Sequence, residues 1–141
     1  GAILEGMHFL CAEDNELNAE ILTELLKMKG AECTICENGQ KVVETFEQSV
    51  PGAYDMILMD VQMPVMNGYD AARAIRRSLH KQAGTIPIIA MTANAFSEDI
   101  RHSLTAGMNA HISKPVDMML LEKTIRSIKS GGGSETQADK E

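Results

Sequence analysis

The chain has no apolar run long enough to cross a membrane and no secretory leader pattern, so neither a spanning segment nor export is expected. It is short of positive charge: 13 Lys and Arg stand against 20 Asp and Glu, a net charge of −7. That balance argues against a general surface for nucleic acid or for an anionic membrane. Cysteine is scarce and odd in number, at positions 11, 33 and 36. An odd count without a secretory context points to reduced thiols in a cytosolic domain rather than to a disulfide framework. There is no internal repeat, and 141 residues are too few for an eight-fold barrel. What is present suits one domain: 44% of the residues are hydrophobic, enough for a real core. The chain begins at Gly1, so a fragment or a processed chain is expected.

The stretch Asp55–Gly68 (DMILMDVQMPVMNG) organises the rest. Met56 to Met59 is a short apolar run that ends on a carboxylate, Asp60. Pro64, Asn67 and Gly68 then mark a loop before a new helical pattern. A continuous apolar run suits a strand buried on both faces. Asp60 is therefore expected at the carboxyl end of a central parallel strand, the edge where open α/β sheets place their ligand sites.

Before this stretch, residues 1–6 read as a linker. Met7–Ala12 reads as a strand closed by Glu13-Asp14-Asn15. Asn15 is a good helix cap, and Leu17, Ile21 and Leu25 repeat every four residues beside Leu22 and Leu26. Glu32–Cys36 is a second short strand. A helix from Gly39 to about Ser49 turns Val42, Val43 and Phe46 inward.

After it, a helix over Asn67–Leu79 buries Ala71, Ala72 and Ile75, with Arg73, Arg76 and Arg77 on its outer face. Pro87–Met91 is a strand that stops at Thr92. A helix covers about Ala95–Ala106, and Ala110–Ile112 is a last short strand closed by Ser113-Lys114-Pro115. Asp117 caps a final helix with Leu121, Ile125 and Ile128 as its stripe. The domain is placed at 7–130, and the Gly-rich, then charged, segment 131–141 is expected to be a disordered tail or linker. Five strand–helix pairs in strict alternation predict a parallel sheet with helices on both faces.

Cys33 and Cys36 have CxxC spacing, which invites a redox or zinc reading. They lie in a strand-like stretch, however, and residues three apart on a strand face opposite sides of the sheet. The two sulfurs are not expected to meet.

Polar residues recur at the strand ends: Glu13 and Asp14 after the first, Asp60 at the third, Thr92 at the fourth, Lys114 at the fifth. In a parallel sheet these ends share one edge, so the groups converge. Three carboxylates together repel unless a cation neutralises them. Hard oxygen ligands without Cys or a neighbouring His select Mg2+, Mn2+ or Ca2+ over zinc. A carboxylate nucleophile, a lysine and a hydroxyl complete a phosphoryl-transfer site.

These residues closely resemble the receiver domain of two-component response regulators over about Met7–Ser130. The motifs are Glu13-Asp14, Asp60 with Met63-Pro64 and Gly68, Thr92-Ala93, and Lys114-Pro115. The resemblance implies a flavodoxin-like three-layer sandwich with strand order 2-1-3-4-5 and five helices. It implies that Asp60 accepts a phosphoryl group from a phosphohistidine. It implies Mg2+ held by Glu13, Asp14, Asp60 and the backbone carbonyl of Gln62, and a cis peptide before Pro115. It implies a switch in which Thr92 moves, where the family often has Tyr or Phe at the position of His111. It also implies that Gln62 and Asn94 tune the lifetime of the phosphorylated state.

The wording of Glu13-Asp14-Asn15, the loop after Asp60 and Met91–Ala95 looks most like receivers of hybrid sensor histidine kinases. The expected partners are then a histidine kinase domain and a histidine phosphotransfer protein. A stand-alone response regulator is the alternative. A phosphatase of the haloacid dehalogenase type needs an acid two residues past its nucleophile, where this chain has Gln62. A flavodoxin needs a hydroxyl-rich phosphate loop, where this chain has Glu13-Asp14-Asn15-Glu16. A degenerate docking receiver would have lost part of the acid, nucleophile, threonine and lysine set, which is complete here.

Overall fold

The computed structural model describes residues 3–93, 101 and 104–131. Its elements run β1 (His8–Ala12), α1 (Glu16–Met28), β2 (Glu32–Cys36), α2 (Gly39–Gln48), β3 (Met56–Asp60) and α3 (Gly68–Arg77). They continue with β4 (Ile88–Thr92), β5 (Ala110–Ser113) and α4 (Met118–Lys129). All strands are parallel, in the order β2-β1-β3-β4-β5. This is the expected flavodoxin-like sandwich. The helix expected over Ala95–Ala106 lies mostly outside the described residues, so four complete helices are seen among them against the five expected.

The apolar runs conceal a strict alternation. Leu10, Ala12, Ile57, Met59, Ile88 and Ala90 face α2 and α3, where they meet Val42, Val43, Phe46, Ala71, Ala72 and Ile75. Phe9, Cys11, Met56, Leu58, Ile89 and Met91 face the other side, against Leu22 and Leu26 of α1 and Leu121 and Ile125 of α4. Both faces are apolar because both are covered. Leu4, in the stretch expected to be a linker, is buried in this second layer. The same alternation separates the CxxC pair. Cys33 packs on the α1 side, with its Sγ 3.3 Å from the Thr23 hydroxyl, and Cys36 lies on the α2 side, 3.6 Å from the Thr45 hydroxyl.

Each described helix starts from a side-chain cap just past a strand end. Asn15, Asn38, Asn67 and Asp117 accept backbone N–H bonds of 2.9 Å from Asn18, Lys41, Asp70 and Met119. Four helix N-termini, with their partial positive charge, therefore point to the edge that carries Asp60.

One expectation needs correction. Arg76 does not stand on the outer face of α3. Its guanidinium donates to the carbonyls of Gly107 (2.9 Å) and Ala83 (3.0 Å) and to Asn109 Oδ1 (2.9 Å), because the last turn of α3 lies against the chain entering β5. Arg73 and Arg77 do stay outward, Arg73 paired with Asp70 at 2.8 Å. On α1, only one of the two apolar rows is core: Leu22 and Leu26 are buried, whereas Leu17 is 63% and Ile21 50% exposed.

Candidate functional site

The site forms where β1, β3, β4 and β5 end. Asp60, the last residue of β3, is 2% exposed. Its Oδ1 accepts from the Gln62 N–H at 3.2 Å, a turn back onto the aspartate itself. Its Oδ2 accepts from Lys114 Nζ at 2.9 Å. The loop is held close by Gly68, whose N–H donates to the Val61 carbonyl at 2.9 Å. A Cβ at Gly68 would lie 2.3 Å from the Asp60 carbonyl oxygen, so the start of α3 can seat against the strand end only with glycine there.

Glu13 is buried and Asp14 exposed, one residue apart past the end of β1. One carboxylate oxygen from each of Glu13, Asp14 and Asp60 lies within 4.8 Å of the others. Lys114 also approaches Glu13, with Nζ 3.4 Å from Oε1. Glu13 Oε2 accepts from the Asn15 N–H at 3.1 Å. Burial pushes the Glu13 carboxyl above its ordinary range, and the nearby Asp60 adds to this, against the opposing pull of the Asn15 N–H and of Lys114. For Lys114, burial acts downward, but its bond to Asp60 and the charges of Asp60 and Glu13 outweigh it, and the ammonium is held above its ordinary value.

Thr92 ends β4 and is buried; its carbonyl accepts from the Lys114 N–H at 2.9 Å. The Lys114–Pro115 peptide is cis. His111 is half-buried on β5, and burial lowers its imidazole pKa. Gln62 is exposed, and Asn94 lies outside the described residues. The structure thus brings together Glu13, Asp14, Asp60 and Lys114, as the strand-end pattern required. The donor set is all oxygen, two of its three carboxylates are buried, and one lysine faces them. That is a fit for a hard divalent cation beside an anion.

Sequence reasoning named the Leu17, Ile21 and Leu25 row of α1 but gave it no part in the site. With Met91, Pro115 and Val116, Ile21 and Leu25 line an open cleft of about 340 Å³ that reaches Glu13 and Lys114. The signal was there: two apolar rows on one helix are more than a single buried stripe needs.

Residues 9–126 match the family model of the response regulator receiver domain. The chain is 34% identical over 139 residues to the probable histidine kinase 2 of Oryza sativa subsp. indica, covering 91% of this chain but only 13% of that protein. Among solved structures, it is similar to the receiver domain of the sensor histidine kinase PA1611 from Pseudomonas aeruginosa PAO1, determined with a magnesium ion coordinated in the active site cleft. That pair is 36% identical with a TM-score of 0.76, over 89% of this chain and 98% of the other. It is also similar to the receiver domain of the response regulator Ssk1, solved in complex with the histidine phosphotransfer protein Ypd1 of Saccharomyces cerevisiae. There the identity is 32% and the TM-score 0.75, over 86% of this chain and 87% of the other. By its matched residues, its strand order and its strand-end acids, the chain belongs to the response regulator receiver domain family.

Proposed function

We propose that this domain is the phosphoryl-accepting module of a two-component phosphorelay, with Asp60 as acceptor. The observation that carries the reading is Lys114 Nζ at 2.9 Å from Asp60 Oδ2, with the Glu13 and Asp14 carboxylates beside it. In the reaction an Asp60 oxygen attacks the phosphorus of a phosphohistidine. The P–N bond breaks as the P–O bond forms, and the released imidazole nitrogen takes up a proton from water. Lys114 is within reach of the new phosphoryl oxygens, and the Thr92 hydroxyl is placed at the adjoining strand end to bond another. Glu13, Asp14, Asp60 and the Gln62 carbonyl are the residues that would hold Mg2+, or Mn2+, which supplies charge neutralisation between carboxylates and phosphoryl oxygens.

The donor is a histidine kinase domain, and the acceptor downstream is a histidine phosphotransfer protein. The surplus apolar row on α1 beside Lys114 supports a protein partner at this edge. The parent is a hybrid sensor histidine kinase, consistent with a chain that spans 13% of its rice relative. No described helix is long and apolar enough to cross a membrane, and a cytoplasmic placement of this domain rests on the reading of its parent as a histidine kinase. Thr92 and His111 are the switch pair, through which phosphorylation reaches the chain that follows β4.

Incubation with acetyl phosphate and Mg2+ is expected to add one phosphoryl group by mass spectrometry, and beryllofluoride to form a complex at the same place. Asp60→Asn is expected to abolish both. Phosphorylation that persists unchanged in Asp60→Asn refutes the assignment.

A further inference from the structure

Cys11 and Cys33 belong to adjacent strands, β1 and β2, whose parallel register pairs Phe9 with Cys33 and Cys11 with Ile35. Residues two apart on a strand share a face, so both thiols lie in the layer covered by α1. Cys11 is completely buried there, and Cys33 is half-buried on the outermost strand of the sheet. The Cys11 thiol hydrogen-bonds to Cys33, and the Thr23 hydroxyl of α1 lies 3.3 Å from the Cys33 sulfur. Two thiols and a hydroxyl thus meet in an otherwise apolar layer. Thr23 has one proton, which it donates to the Ala19 carbonyl at 2.8 Å beside a neutral thiol. When the sulfur ionises, that proton has a charged acceptor to turn to. The hydrogen bond from Cys11, helped by the one from Thr23, lowers the Cys33 thiol pKa to about 6 against the opposing effect of burial. Burial raises the Cys11 thiol well above its ordinary value, so Cys11 stays protonated as the donor.

A sulfur ionised at neutral pH is a nucleophile, and its surroundings decide toward what. The cleft of about 480 Å³ over Thr23 is lined by Ala19 and Ile35 together with Glu16, Glu20 and Glu24. Three carboxylates there disfavour an anionic reagent and leave a small neutral one unhindered. We infer that Cys33 is a peroxide-reactive modification site, converted by hydrogen peroxide to a sulfenic acid while Cys11 and Cys36 remain thiols. The thiolate sulfur attacks one peroxide oxygen. The S–O bond forms as the O–O bond breaks, and the departing hydroxide takes a proton from solvent to leave as water. Sulfur loses two electrons and the peroxide gains them. A neighbouring thiol can close such a product to a disulfide. Here strands about 4.8 Å apart and an offset of two residues set the Cα atoms of Cys11 and Cys33 roughly 8 Å apart, beyond the reach of that bond. Cys36 is on the opposite face of the sheet. The sulfenic acid is therefore the end point, reversible by thiol reductants. Cys33 is the second residue of β2, away from the carboxyl edge that carries Asp60, so this chemistry is separate from phosphoryl acceptance.

The test treats the reduced domain at pH 7 with hydrogen peroxide and dimedone, which traps sulfenic acids, and locates the adduct by peptide mass spectrometry. The adduct is expected on Cys33, about tenfold faster or more than on Cys11 or Cys36. The labelling rate of Cys33 is expected to be half-maximal near pH 6 in the folded domain. In the chain unfolded by urea it is expected to be half-maximal near about pH 8.5. Thr23→Val keeps the shape and removes the hydroxyl; it is expected to slow Cys33 at pH 7 about threefold and to move its half-maximal pH upward. Cys11→Ala is expected to do the same to a greater extent. Labelling spread equally over the three cysteines overturns the inference, and so does a Cys33 that reacts no faster at pH 7 than in the unfolded chain. Loss of two hydrogens in place of the dimedone adduct, the mark of a Cys11–Cys33 disulfide, overturns it as well.

Discussion

Replacing Lys114 by methionine keeps most of the side-chain volume and removes the cation that touches two buried carboxylates, at 2.9 Å from Asp60 and 3.4 Å from Glu13. At an effective dielectric constant of about 20 those two attractions are roughly 6 and 5 kcal/mol, most of which the desolvation of the charges offsets. The damage is better judged from what remains. Glu13 and Asp60 keep carboxylate oxygens within 4.8 Å of each other. On the same scale their repulsion is about 3.5 kcal/mol or more, and a broken buried pair typically costs about 3–5 kcal/mol. A loss of about 3 kcal/mol corresponds to a melting temperature lower by roughly 10–15 °C for a domain of this size.

The assay is thermal unfolding of metal-free protein at several pH values, repeated with Mg2+. Glu13 is already held above its ordinary pKa, so the folded state takes up a proton more readily than the unfolded state. Stability tied to Glu13 therefore rises as pH falls from its folded pKa toward its unfolded one. The deficit of Lys114→Met is expected to shrink over that window, because protonating Glu13 ends the repulsion. Mg2+ is expected to stabilise the variant more than the wild type, since it no longer competes with an ammonium for the same oxygens. A variant that melts with the wild type, or a deficit indifferent to both pH and Mg2+, refutes the electrostatic account of this cluster.

Mg2+ at millimolar concentration is expected to raise the melting temperature of the wild-type domain by mass action, and Asp14→Asn to weaken that response; a melt indifferent to Mg2+ counts against the metal role. Burial lowers the pKa of His111, so the unfolded state binds more protons between the folded and unfolded values. The His111 share of stability is complete above the unfolded pKa and is lost as pH falls through it, so His111→Phe is expected to flatten the decline seen by urea unfolding between about pH 7.5 and 5.5. Neither Gln62 nor Asn94 can ionise to act as a general base, so phosphorylated Asp60 is expected to decay over minutes or longer. Substitutions at these two positions are expected to change the decay rate, followed by acyl-phosphate mass, while leaving phosphorylation intact; unchanged decay removes water access there as the control.

The strand-end chemistry was legible because it depends on order along the chain. A parallel sheet sends every strand's carboxyl end to one edge, so Glu13, Asp14, Asp60, Thr92 and Lys114 could be gathered by counting strands. Caps were legible for the same reason: Asn15 and Asp117 each sit just past a strand end and before an apolar period. Direction was not legible. Periodicity reports which residues share a face of a helix, not which face the sheet covers, so the two rows of α1 looked equivalent until Leu22 and Leu26 were found inside. Arg76 read as a solvated charge because the oxygens it binds are 31 residues away at Gly107 and 33 residues away at Asn109. The positive φ of Val65 was invisible as well, since no composition rule places valine there.

The exposed row of α1 is apolar, lines a cleft that reaches Glu13 and Lys114, and adds little to the core. A domain serving only small phosphoryl donors would gain nothing from such a surround, because acetyl phosphate needs only the acids, the lysine and the metal. A donor carried on a protein does need it, since the nucleophile is sunk and the approach must be held in register long enough for in-line attack. The floor of the site sets what chemistry occurs, and the wall sets who may deliver it. The two are therefore separable by mutation: changes at Asp60 or Lys114 should act on every donor alike, and changes at Ile21 on protein donors alone.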